Sequence, residues 1–188
     1  MQPVQVLWIN LITAVALSLP LALEAMEPNV MNRLPRKPNI PLLSSLIIFR
    51  MVLVSLVMAG GTIGLFLWEY NIEMSRGIRH SQAISEAQTM AVTAMVLFQV
   101  FYLIDCRSLH FSANKIGLFS NPSIYIGIAT VLFVHTAFVY FPFMNRWFHS
   151  SPLKAEAWGV SAVVAFSILI IISIEKWIRR KFFNNIKM

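Results

Sequence analysis

Five apolar runs, each about 20 residues or longer, constrain this chain more than any other feature. A helix needs about 20 predominantly apolar residues to cross the hydrocarbon core of a bilayer. Such runs fall at about 3–23, 42–68, 87–106, 121–141 and 156–178. The first is atypical, because Asn10, Thr13, Ser18 and Pro20 interrupt it. The fourth opens on Asn121-Pro122, which suits a first helical turn, and closes on Phe141-Pro142, which suits a stop. The expected fold is all-α: one membrane domain over residues 1–188, a bundle of five transmembrane helices.

Composition agrees. Of the 188 residues 57% are hydrophobic and 12% charged, against roughly 45–50% and 25% in soluble domains. The mean hydropathy is +0.69. A soluble enzyme, a disordered chain, a coiled coil and a disulfide-stapled domain are excluded. The single cysteine, Cys106, has no intramolecular disulfide partner. No internal repeat or linker is visible, and the longest stretch between runs leaves no room for a soluble catalytic domain.

The net charge of +7 is a topology signal, because the basic residues lie between and after the apolar runs. Arg33, Arg36, Lys37, Arg50, Arg107, Lys115, Lys176, Arg179, Arg180, Lys181 and Lys187 fall on one side. Only Arg76, Arg79, Arg146 and Lys154 fall on the other. The positive-inside rule places the majority in the cytoplasm, with the N-terminus outside and the C-terminus cytoplasmic. No nucleic-acid partner is expected; membrane lipid is. No secretory signal is visible, since the first basic residue is Arg33.

Polar side chains within spans are the first candidates for function. Asn10 and Thr13 are three apart and share a helix face. An amide oxygen and a hydroxyl can contact a cation or join two helices, and spacing alone favours the join. Pro20 frees a carbonyl one turn earlier, near Ala16. Such carbonyls build ion sites in broken transporter helices, or the proline is a packing kink. Gln99, mid-span, is a ligand or a hydrogen-bond bridge, with the bridge favoured. Asp105 reads as an interfacial, partly solvated charge beside Arg107. His135 reads as hydrogen-bonded to a neighbouring helix; His80, His110 and His149 lie in other loops and form no metal cluster with it. Gly60 and Gly64, in the string AGGTIG, match small-xxx-small helix packing. Catalytic residues are expected to be none: no triad, zinc spacing, Walker motif or DKTG string occurs, and the sole aspartate is Asp105.

The opening string VQVLWINLITAVALSLPLALEAMEPNVMNRLPRKPNIPLL resembles the sixth transmembrane helix, and the following loop, of P2-type cation-transporting ATPases. Trp8, Asn10, Thr13, Met31, Arg33, Pro35, Arg36 and Pro38 carry the likeness. It continues through Phe49-Arg50, AGGTIG, YLIDCRSL, GLFSNP and Glu175-Lys176. It covers essentially the whole chain and implies that family's helices six to ten.

The resemblance places Asn10, Thr13 and Gln99 at cation-ligand positions. Ala14 falls where calcium and sodium/potassium pumps keep an aspartate, and Gln99 where calcium pumps have a glutamate. A hard dication wants several oxygen ligands with charge compensation, and the chain is expected to offer no carboxylate buried in the membrane. That counts against a calcium site formed from these residues. The resemblance also implies that Arg33, Pro35 and Arg36 form a cytoplasmic contact loop toward a phosphorylation domain, and that the partners are the N-terminal pump domains and helices together with an inorganic cation. It implies a bacterial inner membrane, and no cofactor on these residues, ATP and Mg²⁺ being held by domains absent from them. By itself the chain would neither hydrolyse ATP nor pump. The alternative is a vestigial or interaction protein derived from such a pump.

Overall fold

The computed structural model describes residues 1–23, 45–106 and 121–183, the side chains of Leu46, Arg180, Phe182 and Phe183 excepted. Arg33, Pro35 and Arg36 lie outside the described residues. Among those described, six helices and no strand occur: α1 (Pro3–Ala22), α2 (Ser45–Ser75), α3 (His80–Cys106), α4 (Pro122–Tyr140), α5 (Pro142–Phe148) and α6 (Ala155–Phe183). All except α5 are long and apolar enough to cross a membrane.

The helix ends follow local chemistry. In α1, Pro3 opens the helix and the Gln2 amide donates to Gln5 Oε1 at 3.0 Å. Asn121 caps α4, its Oδ1 accepting from the Ser123 amide at 3.0 Å, with Pro122 in the first turn. Pro142 restricts Phe141 to an extended conformation (φ −76°, ψ 124°) and ends α4. The chain then re-enters a helix as α5, a short element that hydropathy does not signal.

Two helices run beyond their apolar runs. α2 continues past Trp68 to Ser75, and α3 begins at His80, seven residues before its apolar run. They are joined at Gly77, whose φ of +74° is left-handed. The Gly77 amide donates to Met74 O at 3.1 Å and the Ile78 amide to Glu73 O at 3.2 Å. This is a Schellman stop, and glycine adopts it without a Cβ clash. The two helices therefore form a tight hairpin.

α3 is the central helix. Ala83, Ala87, Ala91 and Ala94 are buried, and so are Thr89, Thr93, Met90, Val96 and Phe98 on other faces. A helix buried on all sides belongs at the centre of a bundle, and α3 packs against α1, α2, α4 and α6. It separates two cores. One joins Ile9 and Leu17 of α1 to Val131 and Phe138 of α4, with Trp8 stacked on Phe138 (5.5 Å between ring centres). The other joins Val54 of α2 to Phe98 and to Ala165, Ile168 and Ile172 of α6. The outside is apolar: Leu7, Val163 and Phe133 are 68%, 73% and 78% exposed. Apolar outside with polar groups inside is the arrangement a lipid solvent selects.

The glycine packing differs from the expected one. A Cβ on Gly60 or Gly64 would meet nothing within 4 Å, so this pair packs no helix among the described residues. The close approaches are at Gly61, where a Cβ would lie 2.5 Å from Phe98 Cζ, and at Gly127, where it would strike Ala16 O and lie 2.7 Å from Pro20 Cγ. The pattern of four-residue spacing is present, but the neighbouring helices stand on the other side of α2.

Candidate cation site and the buried charges around it

α1 buries one narrow stripe: Gln5, Ile9, Thr13, Leu17 and Pro20. The near four-residue spacing keeps one edge of the helix against α3 and α4. Thr13 faces inward, and its hydroxyl donates to Ile9 O at 2.8 Å. Asn10 and Ala14, on the adjoining edge, are exposed. Gln99 lies on α3 and is half-buried. Among the described residues no hydrogen bond joins Asn10, Thr13 and Gln99 to one another. The three residues thus supply two amides and a hydroxyl from two helices, with the Asn10 edge open.

The carbonyl near Pro20 is covered. α4 passes α1 at Gly127, directly over Ala16 O and the proline ring. One turn on, Asn121 Nδ2 donates to Pro20 O at 3.2 Å. Pro20 is therefore the docking point of α4 on α1, which realises the packing alternative.

Mid-membrane His135 is fully buried and bonded across helices, Nε2 lying 3.0 Å from Thr93 Oγ1. Thr93 Oγ1 donates to Thr89 O at 2.9 Å, so His135 Nε2–H is the donor to Thr93. His135 also stacks on Phe138 and meets Trp158 edge-on. This is the interhelical bond expected for it.

Asp105 is not partly solvated. It is buried, and Lys176 Nζ, on a residue with no exposed surface, lies 2.8 Å from Asp105 Oδ2 and donates to Asp105 O at 3.2 Å. The neighbouring Glu175 pairs with Arg50 of α2 at 2.6 Å. Two consecutive residues of α6 thus hold α3 and α2 through ion pairs at one level. Burial of both partners makes such pairs costly to break singly.

Further carboxylates are buried at the hairpin, beyond the apolar runs. Glu69 and Glu73 of α2 and Glu86 of α3 each bring a carboxylate oxygen within 4.8 Å of the others. Glu73 Oε1 accepts from Lys154 Nζ at 2.8 Å and Arg76 Nη1 at 2.5 Å. Sequence reading passed over these residues because they lie beyond the apolar runs. The available signal was the four-residue spacing of Glu69 and Glu73, with Glu86 on the far side of one short turn.

Known proteins supply the assignment. The sequence matches the family described as "Cation transporting ATPase, C-terminus" over residues 1–178. It is 35% identical over 178 residues to the "Probable cation-transporting ATPase F" of Mycobacterium tuberculosis, covering 95% of this chain and 19% of that protein. It is 30% identical over 162 residues to the "Cation-transporting ATPase pma1" of Synechocystis, covering 83% and 17%. It is 28% identical over 177 residues to the "Calcium-transporting ATPase 1" of Schizosaccharomyces pombe, covering 94% and 19%. The chain thus spans about a fifth of the length of the relatives it matches. On the whole-chain match and the five membrane-length helices, this multi-pass chain belongs to the C-terminal family of cation-transporting ATPases.

Proposed function

We propose that this chain works as the scaffold half of a P-type cation pump's membrane domain and lends it part of a cation site. Asn10 and Thr13 on α1 and Gln99 on α3 are the contributing side chains. The observation that carries this reading is the one-edged burial of α1. An edge with the Asn10 amide exposed is costly against lipid, and becomes favourable where a further helix of the pump closes over it, for which the small Ala14 beside it leaves room. Gly60 and Gly64 present a second open, small-residue face that fits close approach of another helix. The second to fifth spans, α2, α3, α4 and α6, with α2 and α6 packed closely on α3, supply the static body against which mobile helices work.

In the same reading the N-terminus lies outside and the C-terminus in the cytoplasm of a bacterial inner membrane. Arg33, Pro35 and Arg36 meet a phosphorylation domain, and ATP and Mg²⁺ are engaged by parts of the pump outside these residues. The neutral ligand set favours a cation of low charge, or one whose charge other helices compensate.

The size of the native product tests this. Membranes from the source cells are blotted with an antibody against residues 181–188. The expected band is several times larger than 21.4 kDa, or a band of that size that co-purifies with a polypeptide carrying the rest of the pump. Cation-stimulated ATP hydrolysis by that assembly weakens on Asn10→Ala. A band at 21.4 kDa with no such partner, or Asn10→Ala without effect on cation dependence, overturns the reading.

A further inference from the structure

The hairpin of α2 and α3 gathers more negative charge than its neighbours match. Glu73 has no exposed surface, and its Oε1 takes both Lys154 and Arg76. Its Oε2 is buried with no hydrogen-bond partner among the described residues. Among the described residues Glu86 accepts only an amide hydrogen, from Gln82 Nε2 at 3.2 Å. Glu69 is 4% exposed, and among the described residues it makes no hydrogen bond or ion pair. Its carboxylate nevertheless lies within 4.8 Å of those of Glu73 and Glu86.

A buried carboxylate without a partner, aimed at two others, is a costly arrangement unless something positive sits among them. Lys154 and Arg76 both bond to one oxygen of Glu73, and three carboxylates against these two cations leave one negative charge unmatched. The carboxylates of Glu69 and Glu86 have no ion pair of their own among the described residues, so a cation held between them meets both. The donor set also discriminates. An all-oxygen set suits a hard cation, and three protein carboxylates suit Ca²⁺ better than Mg²⁺, which keeps several waters and takes one or two carboxylates. The Schellman stop at Gly77 fixes the two helices that supply the ligands, so the site is held by rigid elements.

We infer that Glu69, Glu73 and Glu86 form a binding site for a hard divalent cation of the Ca²⁺ class at the turn of the α2–α3 hairpin, with Glu73 Oε2 the oxygen left over for it, separate from the Asn10/Thr13/Gln99 site and independent of whether that site transports. In the proposed orientation it faces the outside, where ions of this class are bound at about 0.1–1 mM by extracellular modules. Bound there, the ion ties α2 to α3, while Lys154, bonded to Glu73 Oε1, ties in the segment before α6.

The test is equilibrium binding of ⁴⁵Ca²⁺ to the purified full chain in detergent micelles at pH 7.5 in 0.1 M KCl. The expected result is one ion per chain with a Kd of about 0.1–1 mM. Glu69→Gln and Glu86→Gln each weaken it at least tenfold, and Glu156→Gln, an exposed carboxylate elsewhere, leaves it within twofold. Absence of saturable binding up to 10 mM, or equal binding by Glu69→Gln, overturns the inference. A second measurement needs no variant: the thermal midpoint of the unaltered chain rises on adding Ca²⁺ at constant ionic strength. A midpoint that rises on acidification but ignores Ca²⁺ means that the carboxylates share a proton instead, and also overturns it.

Discussion

Gly127 of α4 lies directly over the carbonyl oxygen of Ala16 in α1, so close that any β-carbon there would strike it. The carbonyl that Pro20 leaves without its helical donor is thus shielded by a neighbouring backbone and kept from an ion. A single absent side chain decides between two uses of a broken helix turn.

Gly127→Ala is expected to destabilise the chain in detergent by about 1–3 kcal/mol, because the obstacle is backbone and a proline ring, neither of which can yield. Gly61→Ala should cost less, since the ring edge of Phe98 can move. Gly60→Ala and Gly64→Ala should leave the isolated chain unchanged. Thermal midpoints of the four variants check the order.

Lys176→Met leaves Asp105 buried without its cation, and is expected to cost about 3–5 kcal/mol. Adding Asp105→Leu should restore most of the loss, because the pair is then replaced by apolar groups. A double-mutant cycle on unfolding free energy separates this from a simple packing defect. Recovery absent in the double variant would show that Lys176 acts through its stem rather than its charge.

Thr93→Val removes the acceptor of the His135 Nε2–H in a fully buried place, and is expected to cost about 1–3 kcal/mol. His135→Phe in the same background should recover part of that loss, since the orphaned donor disappears and stacking on Phe138 is retained. Chemical denaturation of the three variants reads both effects.

Asn10 and Thr13 separate stability from function. In the isolated chain Asn10→Ala should leave the thermal midpoint unchanged, because the side chain is exposed. In the assembled pump the same change should raise the cation concentration for half-maximal ATP hydrolysis about tenfold, equivalent to about 1.4 kcal/mol. Equal loss in both preparations would make Asn10 a structural residue.

Gly77→Ala should cost about 1 kcal/mol or more, since φ of +74° is unfavourable for any residue with a Cβ. Splaying of the hairpin would follow as weaker Ca²⁺ binding. Loss of stability with binding intact would separate the turn from the carboxylate cluster.

The sequence by itself determined the solvent, the helix count of five spans and the family. Those follow from run length, from the scarcity of charge and from strings such as WINLIT and AGGTIG, all of which are local. It also identified the bond partner class of His135, because a lone imidazole in lipid must find a neighbour. Its span bounds at Trp68 and Ala87 mark where the apolar runs stop and start, whereas the helices run on to Ser75 and begin at His80, because a helix stops where a cap such as Gly77 stops it. Only tertiary structure decided that Gly127 and Gly61 are the close-packed glycines, that Asp105 is sealed by Lys176, that Thr13 faces inward while Asn10 faces out, and that Glu69, Glu73 and Glu86 converge. Each of these depends on which side of a helix its neighbours occupy. That is fixed by the sum of contacts around α3, and no residue reports it from its own place in the chain.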